Sequence, residues 1–237
     1  MLELKNVHWS APDGEQILKG VDLIVPDNKL VVITGPNGGG KTTIAKLIAG
    51  IEAPQEGSLF FNGTDITEKN VTERAQLGIS YAFQQPVRFK GITVRDLLEL
   101  AAGEKLSEEA LCNYLSNVGL CAREYVDREV NSALSGGEIK RIEIASVLAR
   151  QTSLAVFDEP EAGIDLWSFT SLIDVFEKLR REQSRTLVII SHQERIMEIA
   201  DEIIVISGGK VKESGRREDI LPRLLSSGKG CVKCPGH

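Results

Sequence analysis

The 237-residue sequence predicts an α/β protein with a mostly parallel core sheet, an antiparallel β-subdomain and an inserted helical subdomain. Short apolar runs typical of buried strands alternate with segments of helical periodicity, which indicates a parallel sheet covered by helices on both faces. Residues 2 to 33 alternate apolar and polar side chains around turns, which favours antiparallel strands near the N-terminus. Between about residues 86 and 150 the apolar spacing turns helical, which predicts the helical subdomain.

A glycine-rich loop fits the phosphate-binding pattern G-x-x-x-x-G-K-[ST] and joins the apolar strand at 30–33 to a helical stripe beginning at Ile44. Backbone N–H groups of such a loop, together with the helix N-terminus, bind polyphosphates. We expect Lys41 to reach the β- and γ-phosphates and Thr42 to give its hydroxyl to Mg²⁺. The alternative is a glycine-rich turn that only caps the helix. The predicted phosphate-binding residues are Gly35, Pro36, Asn37, Gly38, Gly39, Gly40, Lys41, Thr42 and Thr43.

The composition excludes several classes of protein. A net charge of -6 and a pI near 5.3 argue against an electrostatic footprint for nucleic acid. The N-terminus lacks the apolar core of a signal peptide, and no apolar run approaches the ~18 residues that a membrane helix needs. We therefore expect a cytoplasmic protein that reaches a membrane only through a partner.

Two further predicted strands end in polar side chains. Asp158 and Glu159 follow the apolar run at 154–157, and His192 follows the strand at 186–190. Ligands of open parallel sheets bind at the carboxyl ends of the strands, so these side chains should converge on the glycine-rich loop. Taken alone, an acidic pair after a strand is explained by helix capping or by a solvated loop as well as by a catalytic role. A histidine in a loop is in the same way explained by simple exposure to solvent.

Residues 134–138 open a predicted helix with a pattern that has two interpretations. Ser135 and Glu138 form an S-x-x-E capping box, which is sufficient to start a helix. Gly136 and Gly137, however, each cost up to about 1 kcal/mol relative to alanine in a first turn, so helix stability does not favour them. Exposed N–H groups and a serine hydroxyl at a helix N-terminus form an anion site.

Six motifs in this order resemble those of ABC ATPases: the glycine-rich loop, Gln84 in the segment 81–84, the signature segment 134–138, the Walker B segment 154–159, the D-loop segment 162–165 and His192. The resemblance covers about residues 1–225, which we take as one ABC ATPase domain, with 226–237 as a cysteine-containing tail. It implies a P-loop core with the two subdomains described above. It also implies ATP and Mg²⁺ as cofactors and hydrolysis of ATP to ADP and phosphate.

The resemblance assigns roles to individual residues. Lys41, Gln84, Glu159 and His192 would be catalytic, with Glu159 acting on the attacking water and His192 contacting the γ-phosphate. Mg²⁺ would be held by Thr42, Gln84 and Asp158. In an ATP-dependent head-to-tail homodimer, the signature residues of one subunit would meet the γ-phosphate on the P-loop of the other; these residues are Ser135, Gly136, Gly137 and Glu138.

The sequence departs from the family pattern at three places around the nucleotide site. Ala11 stands where an aromatic residue usually stacks on adenine, so base recognition is open. Trp9 is a candidate substitute, although a role as a strand residue in the sheet is the commoner interpretation. Glu138 replaces the common Gln and the D-loop reads Ala-Gly-Ile-Asp, but neither change removes a phosphate contact.

The segment 82–93 and Ala11 are similar to SufC-type ATPases of iron–sulfur cluster assembly, which implies a soluble SUF-type scaffold protein as partner. The alternatives are the nucleotide-binding subunit of a membrane transporter, with a transmembrane permease as partner, and an ATP-gated switch that scarcely hydrolyses. Cys231, Cys234 and His237 in the tail supply too few ligands for a complete metal site unless shared across a dimer. Cys112 and Cys121 are expected to be structural thiols of the helical subdomain.

Overall fold

The computed structural model describes residues 1–84, 89–131, 133–182 and 185–227. The strands are β1 (Leu2–Ser10), β2 (Gln16–Val25), β3 (Leu30–Thr34), β4 (Glu56–Phe61), β5 (Thr64–Asp65), β6 (Ile79–Ala82), β7 (Leu154–Asp158), β8 (Thr186–Ile190), β9 (Glu202–Ser207) and β10 (Lys210–Arg216). The helices are α1 (Lys41–Ala49), α2 (Val71–Gln76), α3 (Val94–Ala102), α4 (Glu108–Asn117), α5 (Ala122–Tyr125), α6 (Gly136–Ala149), α7 (Leu166–Glu182), α8 (Glu194–Glu198) and α9 (Arg217–Ser227).

The strands form two sheets, as the sequence predicts. The core sheet has the order β10-β9-β3-β8-β7-β6, and only β10 pairs antiparallel within it. Every residue of β3, β7 and β8 is buried, which explains their continuous apolar runs. The second sheet is antiparallel, with the order β2-β1-β4-β5. Because β3, β8 and β7 are neighbours and parallel, their carboxyl ends lie side by side.

Alternate residues of β3 serve two hydrophobic cores, because successive side chains of a strand point to opposite faces. Val31 and Ile33 belong to a core shared with α1 and the antiparallel sheet. Val32 belongs to a second core shared with α7 and the helical subdomain, to which Ala145 of α6 also contributes. The helical subdomain is therefore packed onto the core sheet, and α6 has a defined position relative to the strand ends.

Capping explains where the subdomain helices begin. Thr93 caps α3 and Ser135 caps α6, and each forms a complete capping box with the third helical residue. The structure corrects one expectation here: Cys112 and Cys121 are both exposed, so neither is a structural thiol of the core. The helical spacing places them beside the buried stripe of α4 and at the first position before α5, not within the core.

The C-terminal helix α9 runs to Ser227, two residues past the predicted domain boundary at 225. Cys231, Cys234 and His237 lie outside the described residues, as do residues 85–88 of the segment that follows Gln84. Within the described part of the chain, no helix combines the length and apolarity needed to cross a membrane.

Candidate functional site

The glycine-rich loop occupies the turn between β3 and α1, and two of its glycines are required by geometry. Gly35 has φ 136°, and a Cβ there would lie 1.9 Å from the carbonyl oxygen of Ile206 in β9. Gly40 is the N-cap of α1 with φ 104°, and no side chain caps this helix. The first N–H groups of α1 are therefore not occupied by a capping side chain, which leaves the helix N-terminus available to an anion.

Lys41 places a positive charge against this loop. Its ammonium group donates hydrogen bonds to the carbonyl oxygens of Gly35 at 2.8 Å and Pro36 at 2.9 Å. Burial lowers the pKa of Lys41, while the negative charges of Glu159 and Asp158 oppose that shift. Two of the three ammonium donors are used within the loop, so the charge is fixed beside the N-terminus of α1.

Asp158, at the end of β7, is fully buried and receives two hydroxyl hydrogen bonds. The Thr42 hydroxyl donates to Oδ1 at 3.3 Å, and the Tyr81 hydroxyl donates to Oδ2 at 3.1 Å. Burial raises the pKa of Asp158, because a carboxylate that loses water favours its neutral form. A buried carboxylate beside a threonine hydroxyl is a set of hard oxygen donors, which fits Mg²⁺.

Glu159 lies next to two of the other three predicted catalytic side chains, Gln84 and His192. Gln84 donates from Nε2 to one Glu159 carboxylate oxygen at 2.7 Å, and His192 Nε2 lies 3.9 Å from the other. Glu159 has φ 46°, a left-handed conformation that non-glycine residues rarely adopt. Burial, followed by the charge of Lys41, lowers the pKa of His192, so the imidazole is neutral at pH 7.

Lys41, Thr42, Gln84 and Glu159 border one cleft of about 520 Å³ between the glycine-rich loop and the antiparallel sheet, whereas Asp158 and His192 contact its lining residues without lining it themselves. Trp9 and Ala11 line the same cleft, so the sheet residue Trp9 also faces the candidate site. The residues lining the cleft are Trp9, Ala11, Ile17, Asn37, Gly38, Gly40, Lys41, Thr42, Thr43, Gln84 and Glu159. The predicted phosphate-binding loop, Gln84 and Glu159 thus come together within one chain.

The signature residues 135–138 do not line that cleft in the described chain. The Ser135 hydroxyl accepts a hydrogen bond from the Glu138 backbone at 3.2 Å, and Glu138 accepts one from the Ser135 backbone at 2.7 Å. A hydrogen bond from Tyr125 is the main reason why the pKa of Glu138 falls to about 2. A Cβ at Gly137 would meet the Gly163 carbonyl oxygen at 3.1 Å, so this helix start lies against the D-loop segment.

Two residues that the sequence analysis missed connect α6 to Gln84. Lys140 is completely buried and donates to the carbonyl oxygens of Phe83 and, at 3.4 Å, Gln84. Glu143 accepts from the Phe83 backbone at 2.8 Å and lies 3.3 Å from the Lys140 ammonium group. The sequence feature that could have identified them is a Lys and a Glu three residues apart within an apolar helical stripe. Because two charged side chains cannot be buried there without partners, such a pair predicts further polar contacts.

An apolar groove of about 300 Å³ lies next to the segment that carries Gln84. It runs between β6, α3 and α6, and Leu100 in its wall is 72% exposed. The residues lining it are Tyr81, Phe83, Phe89, Leu97, Leu100, Ala101, Val130, Ile139, Ile142, Glu143, Ser146, Val147 and Arg150. Exposed apolar side chains grouped in a groove mark a binding surface more often than scattered ones do.

Known proteins resemble this chain along nearly all of its length. Residues 18–162 match the family model described as ABC transporter. An uncharacterized ABC transporter ATP-binding protein of Methanocaldococcus jannaschii is 41% identical over 242 residues, covering 99% of this chain and 95% of the relative. The sulfate/thiosulfate import ATP-binding protein of Synechocystis sp. is 36% identical over 214 residues, covering 88% of this chain and 59% of the relative. A dimeric structure of a bacterial ABC transporter cassette superposes with a TM-score of 0.83 at 25% identity, covering 92% of this chain and 99% of that one.

Proposed function

This chain belongs to the family of ABC transporter ATP-binding proteins and is an ABC ATPase, and we propose that it is the nucleotide-binding subunit of a membrane transporter. In this role the subunit binds ATP in the cleft beside Lys41, pairs head-to-tail with a second copy and drives a transmembrane permease. The subunit stays on the cytoplasmic side and reaches the membrane through that permease. The relatives named as ATP-binding proteins of transporters support this role.

The proposed chemistry is transfer of the γ-phosphoryl group to water. Lys41 and the N-terminus of α1 neutralise the phosphates. Glu159 orients the attacking water and accepts its proton, and Gln84, 2.7 Å away, fixes the carboxylate for that task. His192 is neutral because its pKa is lowered, and its remaining N–H donates a hydrogen bond to the γ-phosphate.

Thr42 and Asp158 would hold Mg²⁺, with Gln84 adjacent to the same cleft. When bound, the metal supplies positive charge to the β- and γ-phosphate oxygens. The buried Asp158 carboxylate accepts hydrogen bonds from two hydroxyl groups, and no ion pair within 4 Å joins it to a cationic side chain of the described residues, which is consistent with a bound cation as its partner.

The separation of the signature residues from the cleft supports a dimer. The N-terminus of α6 is formed by Ser135, Gly136 and Gly137. None of these three residues lines the cleft that contains Lys41 and Glu159 of the same chain. A second copy placed head-to-tail would bring this helix start to the γ-phosphate. The proposed site is therefore completed only when two ATP-loaded copies meet.

The observation that carries the transporter proposal is the pairing of Gln84 with Glu159 next to an exposed apolar groove. The Gln84 side chain contacts Glu159, while the preceding residue, Phe83, lines the groove. Lys140 and Glu143 form hydrogen bonds with the backbone of Phe83. A partner that binds in the groove and displaces Phe83 would therefore also move Gln84, the next residue, whose side chain contacts the catalytic carboxylate of Glu159. Such a surface suits an apolar segment of a permease whose movement is coupled to hydrolysis.

The test is co-purification from detergent-solubilised native membranes with three versions of the chain. We expect the wild type to elute with an integral membrane protein and Leu100→Asp to lose it, because a charge in the groove wall opposes apolar docking. Val71→Asp is the matched control, since Val71 is 48% exposed on α2, away from the groove. Both variants should keep basal ATPase activity. Retention of the permease by Leu100→Asp would contradict the proposed docking surface.

A second candidate function is the SufC-like ATPase of iron–sulfur cluster assembly, with a soluble SUF-type scaffold as partner. Its support is the sequence of residues 82–93 and Ala11, and the relatives reported above carry transporter names instead. An iron and acid-labile sulfide assay on the purified complex separates the candidates. A soluble partner with iron and sulfide would overturn the transporter proposal and make Cys231 and Cys234 the next residues to replace.

A further inference from the structure

Tyr81 contacts the buried carboxylate that the proposed mechanism assigns to Mg²⁺, yet no motif of the sequence includes it as a functional residue. It lies on β6, where it pairs with Val156 of β7, and Asp158 is two residues further along β7 on the same face. This diagonal placement brings the phenol hydroxyl within 3.1 Å of Asp158 Oδ2.

The second Asp158 oxygen already has a different partner, since Thr42 donates to Oδ1 at 3.3 Å. The two hydroxyl groups therefore hold the carboxylate from both sides. Phe83 packs edge-to-face on the Tyr81 ring with centroids 4.9 Å apart, which fixes the ring orientation. The Tyr81 hydroxyl is therefore held in place as a hydrogen-bond donor to Asp158 Oδ2.

We propose that Tyr81 is a positioning residue for the metal site: its hydroxyl fixes the Asp158 carboxylate in the orientation that Mg²⁺–nucleotide binding requires. Groups that hydrogen-bond to a metal-binding carboxylate typically contribute 10- to 100-fold to metal affinity or activity. The inference rests on the proposed nucleotide and Mg²⁺ site, and it does not depend on whether the partner is a permease or a scaffold.

Tyr81→Phe removes only the hydroxyl, so the ring contact with Phe83 remains. The measurement is the dissociation constant of a fluorescently labelled ADP, determined once in EDTA and once in saturating Mg²⁺. The dissociation constant in EDTA divided by the constant in saturating Mg²⁺ gives the factor by which the metal strengthens nucleotide binding. We expect Tyr81→Phe to leave the constant in EDTA unchanged and to lower the ratio by about tenfold. Thermal unfolding in EDTA checks that the variant folds.

Two comparisons make the result specific. Tyr114→Phe is the matched control, because Tyr114 does not line the cleft and its hydroxyl accepts, within the described chain, one long hydrogen bond from Gln151 at 3.4 Å. It should leave the ratio unchanged. In an Asp158→Asn background, Tyr81→Phe should cause no further loss, since the charged carboxylate it positions is gone.

An unchanged ratio in Tyr81→Phe would overturn the inference, and so would an equal loss in the Asp158→Asn background. Wild-type protein with no Mg²⁺-dependent nucleotide binding would instead overturn the proposed site itself. A restored ATPase rate for Tyr81→Phe at high Mg²⁺ would support positioning, because the defect then lies in metal affinity and not in the chemical step.

Discussion

The N-termini of α1 and α6 are both suited to bind phosphate oxygens, but they differ in how their first turns are occupied. At α1 the N-cap is Gly40, no side chain caps the helix and Lys41 adds a positive charge. At α6 the N-cap is Ser135, and Glu138 closes a capping box and adds a negative charge. A carboxylate in the first turn competes with an incoming anion for the same positive end of the helix.

This difference suggests the order in which the two helix N-termini bind phosphate, first α1 and then α6. The N-terminus of α1 can bind a phosphate without losing a side-chain cap, because it has none. At the N-terminus of α6, the Ser135 hydroxyl already accepts a hydrogen bond from the Glu138 backbone N–H. We therefore propose that α6 binds a phosphate that is already held in place by a second copy of the chain. The predictions below test this asymmetry, beginning with the largest expected effect.

Alanine should have opposite effects on stability at Gly35, the first residue of the loop before α1, and at Gly136, the first residue of α6. Gly35→Ala places a Cβ against the Ile206 carbonyl at a left-handed φ and should destabilise the fold by about 3 kcal/mol. Gly136→Ala has no atom within 4 Å of the added Cβ and lies in the first turn of α6, so it should not destabilise the fold and should raise its stability by up to about 1 kcal/mol. Urea unfolding of both variants measures this. Equal destabilisation would show that the two loops are under similar geometric constraint.

Removing the Lys41 charge should abolish most of the nucleotide affinity of the α1 site. Lys41→Ala is expected to weaken ATP binding by about 30- to 100-fold, because a charge-assisted hydrogen bond is worth roughly 2–3 kcal/mol. Equilibrium titration with labelled ATP gives the constant. Lys46→Ala in the last turn of the same helix is the control and should bind ATP as the wild type does. Similar losses in both would mean that the effect is one of net charge.

The capping box of α6 should make stability depend on acid. The pKa of Glu138 is about 2 in the folded state and 4.5 ordinarily, so ionised Glu138 stabilises the fold above pH 4.5, and this contribution disappears as the pH falls toward 2. Because the group is partly exposed, Glu138→Gln should cost no more than about 1 kcal/mol at pH 7. Urea unfolding at pH 7, 5, 3.5 and 2 should show the same difference between the two proteins at pH 7 and 5, a smaller difference at pH 3.5 and little difference near pH 2. A constant difference would exclude the charge as the cause.

The two tryptophans of the chain provide the smallest contrast. Trp9 lines the cleft beside α1, and Trp167 is an exposed residue at the start of α7. Trp9→Ala should weaken ATP binding about fivefold, since an aromatic contact to the base is worth about 1 kcal/mol. Trp167→Ala should leave the affinity unchanged. If neither variant changes it, recognition of the base does not involve Trp9, and the open question raised by Ala11 stays open.

The sequence predicted the parallel core, the antiparallel subdomain and the approximate positions of the motif residues, because apolar runs and caps report local structure directly. The helix start at Gly136 follows from Ser135 and Glu138, and the structure has both halves of that capping box. The convergence of Lys41, Glu159 and His192 was predictable as well, since parallel neighbouring strands must end on the same edge.

The contacts that connect the motifs were not predictable, because they join residues far apart in the chain. Tyr81 reads as an ordinary strand residue until β6 is known to lie beside β7 in the register that pairs it with Val156. Lys140 interrupts an apolar stripe, and its buried charge is explained by the carbonyl oxygens of Phe83 and Gln84 together with the Glu143 carboxylate. The expectation for Cys112 was wrong because a cysteine next to buried Leu111 lies on a different side of the helix.

The central claim is that the α1 site binds ATP within one chain and that the α6 end completes it in a second copy. Size-exclusion chromatography with light scattering of Glu159→Gln and of Glu159→Gln/Ser135→Arg, each with ATP and Mg²⁺, tests it most directly. We predict an ATP-dependent dimer without turnover for the single variant, and a monomer that still binds ATP for the double variant. A dimer that persists in the double variant, or a double variant that no longer binds ATP, would contradict the division of the site between two copies.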